Sequence, residues 1–235
     1  MKSLAQTIRP DLILIGCNTL SVIYDQTDFA VKAKIPVLGI VEAGTELMAK
    51  ALGRSPRTVV ILFATPTTVA EGVYQKNLIK LGFPGERVIV QACPDLEAFI
   101  EKNPDSDETA LLIAGYTAEA LAKLPDRTVP LAISLNCTHY GYSLGAFEAA
   151  FAQEKERPVS ILNPNSKMLD PLFPREKFGR FRRTEISIRV LSTVEISADK
   201  AQAISRILEK TSPATALALR RYEFKPDLFE WQSLR

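Results

Sequence analysis

The sequence predicts an α/β fold built on parallel sheets, and three observations predict it. Short β-branched or Leu-rich runs recur along the chain, each followed by a small or polar turn and then by a segment with helical spacing of apolar residues. Those runs are continuously apolar rather than alternating, as expected of strands that crossover helices bury on both faces. The 235 residues are 46% hydrophobic and 24% charged, the balance of a globular chain long enough to bury a core without metals or disulfides.

Taken in order, residues 12–15, 37–41, 59–63, 88–90, 111–113 and 131–135 read as buried strands, and 159–162 add one more. Each run is rich in Val, Ile and Leu and too short for a helix. Residues 19–32, 45–52, 68–81, 96–102, 118–124 and 143–155 carry apolar residues at helical spacing and fill the connections. From Pro164 to Arg183 the chain is rich in Pro and Arg and has no clear period, and Arg180-Phe181-Arg182-Arg183 reads as a solvated surface run. Ile186, Ile188, Val190, Ser192, Val194 and Ile196 alternate with polar neighbours, which predicts one or two half-exposed extended segments. Ser197-Ala198-Asp199-Lys200 then opens a helix through Glu209.

Charge and composition remove several function classes. Lys+Arg number 29 against Asp+Glu 27, a net charge of +2, whereas a dedicated nucleic-acid binder concentrates basic charge on one face. The longest apolar runs fall far short of the ~20 residues of a spanning helix. Neither nucleic acid nor a membrane is therefore expected as a partner. The first ten residues lack an apolar stretch of signal-peptide length, so the chain is expected in the cytoplasm. Cys17, Cys93 and Cys137 are too few for a disulfide framework, and in a reducing compartment each is either a small core residue or a reactive thiol.

An internal similarity carries the functional reading. Residues 10–19 and 129–139 share a layout: a buried strand, a small or polar residue, a cysteine, a threonine within two positions, and then a helix. Ligands of open α/β sheets sit outside the carboxyl ends of strands, where both Cys17 and Cys137 fall. A thiol at a helix start also feels a partial positive charge that favours the thiolate. Read singly, each would serve as a small core residue; as a pair in equivalent turns with hydroxyl, amide and imidazole neighbours, they read as chemistry. Cys93, in Gln91-Ala92-Cys93-Pro94, lacks such company and reads as structural.

His139 is the only histidine. Two positions after Cys137 on a sharp turn, its ring is expected to reach that thiol poorly, leaving it to contact a substrate or tune a thiol's protonation. Thr65-Pro66-Thr67-Thr68 follows a strand and precedes the helix holding Tyr74, so its hydroxyls and free N–H groups suit either a carboxylate cradle or ordinary N-capping by Thr67 or Thr68. No His/Cys cluster has zinc spacing and no phosphate-binding Gly loop is present, which disfavours metal and nucleotide chemistry.

These residues resemble those of glutamate racemases, within the cofactor-independent aspartate/glutamate racemase superfamily. The matching pieces are Gly16-Cys17-Asn18-Thr19, residues 35–41, Ala64-Thr65-Pro66-Thr67-Thr68 with Tyr74, Ala92-Cys93-Pro94, and Cys137-Thr138-His139-Tyr140, in order over roughly residues 1–165. The resemblance implies two flavodoxin-like parallel-sheet lobes related by a pseudo-twofold, one from residues 1–41 plus 160–235 and one from 42–159. It also implies a two-base inversion of glutamate at Cα, without cofactor or metal, that supplies D-glutamate for peptidoglycan. In that scheme Cys17 and Cys137 exchange base and acid roles, while Asn18, Thr19, Thr68, Thr138 and His139 hold the substrate. The His139 position favours glutamate over aspartate as substrate. The family's Asp-Ser-Gly-type and Pro-Tyr-Gly-type loops, which normally precede the first cysteine, have no counterpart here, so the first lobe is expected to be N-terminally truncated. The apolar edge this would expose favours self-association into a homodimer. Two other readings stay open: a racemase-like protein that binds carboxylates or a partner without turnover, and a related enzyme of aspartate or a hydantoin.

Overall fold

The computed structural model describes residues 1–174, 176 and 178–229. Its N-terminal elements are α1 (Lys2–Thr7), β1 (Ile13–Ile15), α2 (Asn18–Ile23), α3 (Asp28–Lys32), β2 (Val37–Gly39) and α4 (Ile40–Leu52). β1 and β2 pair in parallel, Ile13 opposite Val37 and Ile15 opposite Gly39. The strand predicted over 37–41 stops at Gly39 because Ile40 already starts a helix. Ser21 Oγ accepts from the Ile40 N–H at 3.2 Å, and a Cβ on Gly39 would stand only 3.1 Å from that oxygen. Glycine at this point lets α2 close on the start of α4.

The second group comprises β3 (Val59–Ala64), α5 (Pro66–Glu71), α6 (Val73–Lys80), β4 (Val88–Ala92), α7 (Leu96–Lys102), α8 (Asp107–Ala122), β5 (Leu131–Asn136), α9 (Leu144–Phe151) and β6 (Val159–Leu162). Its strands form an all-parallel sheet in the order β4-β3-β5-β6. Every residue of the two central strands is buried, as the continuous apolar runs require. Ile61, Phe63, Ile133 and Leu135 pack on one face against Leu96, Ile100, Ile113 and Phe147. Val60, Leu62 and Ala132 pack on the other against Met48, Leu52, Tyr74 and Leu78. β6 pairs with β5 from Val159 to Leu162, so the larger sheet runs on past residue 159, where the expected boundary between lobes falls.

Three predicted elements take different forms. The strand expected over 111–113 lies within the 16-residue helix α8. Ser106 caps that helix by accepting from the Thr109 N–H at 3.2 Å, Asp107 and Glu108 occupy its positive end, and Leu111 is 75% exposed while Ile113 is sealed. A three-residue apolar run has no period of its own; the cap and first turn decide it. The helix expected over 68–81 breaks into α5 and α6 at Gly72, whose φ of 61° is left-handed. The helix expected over 19–32 is α2, a 3-10 turn at Tyr24–Gln26, and α3, with Thr27 capping the last.

The remaining elements are β7 (Leu191–Ser192), α10 (Ala198–Glu209), α11 (Pro213–Arg220) and β8 (Glu223–Phe224). Of the alternating stretch 186–196 only β7 pairs as strand, in parallel with β8. α10 and α11 pack on each other, and α10 also lies against α7. Among the described residues no helix is long and apolar enough to cross a membrane.

Candidate active site

Both cysteines stand where a strand gives way to a turn. Cys17 is the N-cap residue of α2, two positions beyond β1. Cys137 follows β5 directly and leads into a 3-10 turn over Thr138–Ser143. Thr138 Oγ1 donates to the Gly16 carbonyl, so the residues adjoining the two cysteines are tied together across the two sheets. Asn165 Nδ2 in turn donates to the Thr138 carbonyl at 3.0 Å and steadies the turn.

The thiols sit in different environments. Cys17 is exposed and Cys137 is buried. Burial pushes the Cys137 thiol up to about 12; the backbone N–H of His139 opposes that shift, and the charges of Glu97 and Cys17 add to it. The expectation that a turn-start position would favour the thiolate therefore fails at Cys137. The backbone N–H groups of His139 and Tyr140 cannot offset removal from water. Cys93 lies wholly buried in the core, as its apolar company predicts, and burial likewise pushes it up to about 12.

His139 departs from expectation in the other direction. Its Nδ1 stands 3.8 Å from Cys137 Sγ, because the 3-10 turn folds the ring back over the thiol two residues earlier. On its other side Nε2 lies 3.5 Å from Glu101 Oε1. Glu97, one helical turn before Glu101 on α7, has Oε2 buried without a hydrogen-bond partner. Sequence reasoning missed both carboxylates. Their one available signal is an i, i+4 pair opening the helix after Cys93-Pro94.

The hydroxyl groups converge as well. Thr19 Oγ1 is 2.8 Å from Thr65 Oγ1 and 3.4 Å from Thr68 Oγ1, and Thr65 Oγ1 donates to Thr68 Oγ1 at 3.1 Å. The N-cap of α5 is Thr65, not Thr67 or Thr68: its Oγ1 accepts from the Thr68 N–H. Proline at the first helical position leaves Thr65 as the flanking residue with extended backbone.

Beneath these groups lies a buried amide pair. Asn18 and Asn136 are both sealed from solvent. The Tyr74 hydroxyl donates to Asn18 Oδ1, and burial raises the Tyr74 phenol above its usual range. The Asn136 amide lies alongside that phenol without a well-formed bond, leaving its Nδ2 and Oδ1, like Asn18 Nδ2, unpartnered. A Cβ on Gly44 would meet Tyr74 Cε1 at 2.8 Å and Asn136 Nδ2 at 3.0 Å, so only glycine lets α4 approach so closely. Asn136 was not singled out from the sequence, where it reads as the last residue of a strand.

Cys17, Asn18, Thr19, Thr68, Thr138, Cys137 and His139 are thus gathered by the ends of β1, β3 and β5, as an α/β sheet gathers a site. Such a fold with paired thiols at strand ends suits proton transfer to and from carbon. The chain belongs to the Asp/Glu/Hydantoin racemase family, whose model matches residues 2–165. It is 30% identical over 131 residues to a glutamate racemase of Aquifex pyrophilus, covering 55% of this chain and 46% of the relative. It is 28% identical over 143 residues to a glutamate racemase of Lysinibacillus sphaericus (strain C3-41), covering 61% and 51%. The chain spans about half the length of these curated relatives. Its fold is similar to that of a glutamate racemase from Francisella tularensis subsp. tularensis SCHU S4 solved in complex with D-glutamate, with TM-score 0.64, 23% identity, and coverage of 88% of this chain and 74% of that one.

Proposed function

We propose that the chain acts as an amino-acid racemase of the glutamate type, inverting Cα by proton transfer between Cys17 and Cys137 with no cofactor. The observation that carries this reading is the Thr138–Gly16 bond, which sets two cysteine-bearing strand ends side by side with one thiol open and the other buried. In one direction a thiolate at Cys17 takes the Cα proton, leaving a carbanion delocalised onto the α-carboxylate. The Cys137 thiol then delivers its own proton to the opposite face and becomes the thiolate. The reverse direction exchanges the roles. Inversion needs a base on one face and a proton source on the other, and a group that stays protonated at neutral pH supplies the second. Thr19, Thr68, Thr138, Asn18 and His139 are proposed to hold the carboxylates and the amino group, offering the fixed donors that a carbanion requires. D-glutamate for peptidoglycan, made in the cytoplasm, is the proposed product. The β1-β2 sheet and the four-stranded sheet are proposed as cores of two lobes, 1–41 plus 160–235 and 42–159, with β6 carrying the four-stranded sheet a few residues past that boundary, and the molecule is proposed as a homodimer.

Incubating the protein with L-glutamate in D2O and following Cα deuterium by NMR, with optical rotation alongside, tests the reading. Solvent deuterium should enter at Cα as rotation decays, and C17S and C137S should each abolish inversion. Folded protein that exchanges nothing rejects catalysis. One observation favours a second reading, carboxylate binding without turnover: Cys17 is exposed, and carbanion chemistry favours a site from which water is excluded. Calorimetric binding of glutamate without exchange would decide for it. A panel including aspartate and hydantoins separates the substrates that the family name spans.

A further inference from the structure

Lys200 lies in the first turn of α10, far in sequence from both cysteines, yet it ends a line of side chains that begins at one of them. Lys200 Nζ is 2.6 Å from Glu101 Oε2, Glu101 Oε1 is 3.5 Å from His139 Nε2, and His139 Nδ1 is 3.8 Å from Cys137 Sγ. The two oxygens of one carboxylate therefore serve two different partners, one from the helical pair at the C-terminal end and one from the candidate site. α10 is held against α7 at this point, and Ser197 caps it by accepting from the Lys200 N–H. Lys200, through its hydrogen bond, is the main reason the Glu101 carboxyl lies below its usual range.

We propose that Lys200 is a positioning residue for His139. It keeps Glu101 turned so that one oxygen meets Nε2, and its own charge offsets that carboxylate while the ring faces Cys137 through Nδ1. The proposal rests on the reading of Cys137 as a proton carrier. Without Lys200, an unopposed carboxylate beside Nε2 would stabilise the charged ring and take Nδ1 out of service as an acceptor. The other groups on the elements packed here are Tyr142 with its ring 6.4 Å from that of His139 and edge-on, Glu195, which with His139 and Lys200 lines a cavity of about 490 Å³, and Glu97 on α7, whose charge acts on Cys137. Of these surrounding side chains Lys200 alone is a cation, which is why its removal has a definite sign.

The test uses the fact that His139 is the sole histidine, so its ring protons form a unique NMR signal. Titrating wild type, K200M, K200R and E101Q from about pH 5 to about pH 9 follows the ring's charge directly. The midpoint should rise by about half a pH unit or more in K200M, return to the wild-type value in K200R, and fall in E101Q. An unchanged or lowered midpoint in K200M overturns the proposal, as does a K200R that behaves like K200M, since that would assign the effect to the lysine stem and not its charge. Lys200 is half exposed, so the variants should fold; K200Q, with circular dichroism, repeats the measurement with a shorter polar stem. If the protein exchanges deuterium, the acid limb of its pH profile should follow the same displacement. A shifted midpoint in a chain that never exchanges sinks the racemase reading alone. Exchange by wild type with an unmoved K200M titration sinks this proposal alone.

Discussion

At Cys137 two influences oppose each other: burial favours the thiol, and the N–H groups at the start of its turn favour the thiolate. Burial wins, and the group is pushed up to about 12. Cys93, sealed within the apolar core, reaches the same range, so a raised thiol alone does not mark chemistry; Cys137 is set apart by the imidazole 3.8 Å away and the bonded neighbour of Cys17. Reactivity should follow exposure and thiolate access. Brief treatment of the native protein with iodoacetamide should place one adduct, on Cys17, while treatment in denaturant should place three, one for each cysteine. Peptide mass spectrometry reads both, and early labelling of Cys93 in the native protein would contradict the buried placement.

At the scale of elements, caps and glycines decide where helices start and stop. α8 is the clearest case, since Ser106 Oγ serves the Thr109 N–H and hydroxyl together while the first turn carries two carboxylates. Ser106→Ala should cost about 1 kcal/mol, which for a chain of this size lowers the midpoint of thermal unfolding by about 2–4 °C. Differential scanning calorimetry measures that loss. Deuterium exchange at Cα should be unaffected, because α8 contributes no group to the proposed site. The same logic explains the break at Gly72: a left-handed residue lets α5 end near the hydroxyl cluster while α6 turns to deliver Tyr74 beneath Asn18.

At the scale of the whole molecule, the buried thiols and phenols make stability depend on alkaline pH. Cys93 and Cys137 titrate near 12 in the folded chain against a usual value of 9.0, and Tyr74 and Tyr140 are raised as well. A raised acid is protonated in the folded state after the unfolded chain has lost its proton. Its contribution is therefore complete below the ordinary value and is lost as pH climbs towards the folded one. Urea midpoints should be flat near neutrality and decline steadily between about pH 9 and about pH 12. Cys93→Ala should start lower, for the cavity it leaves, and decline less steeply. A wild-type midpoint that holds constant across that window would contradict the burial of these groups.

How much of this was legible beforehand follows from the range of each interaction. The parallel sheet, the strand-end positions of Cys17 and Cys137 and the helix opened by Ser197 are written in contiguous residues, because alternation of apolar runs with helical spacing and a cap beside its helix are local facts. Where a run was too short to carry a period, as at residues 111–113, a neighbouring cap overrode it. The Thr19–Thr65–Thr68 cluster, the Asn18–Tyr74–Asn136 contact and the line from Cys137 through His139 and Glu101 to Lys200 join residues tens of positions apart. Only the packing of β1 beside the larger sheet and of α10 on α7 decides them. The chain by itself determined which side chains could do chemistry; the tertiary structure decided which were dried, which were neutralised and which met, because burial and charge pairing are properties of neighbours in space and not of neighbours in sequence.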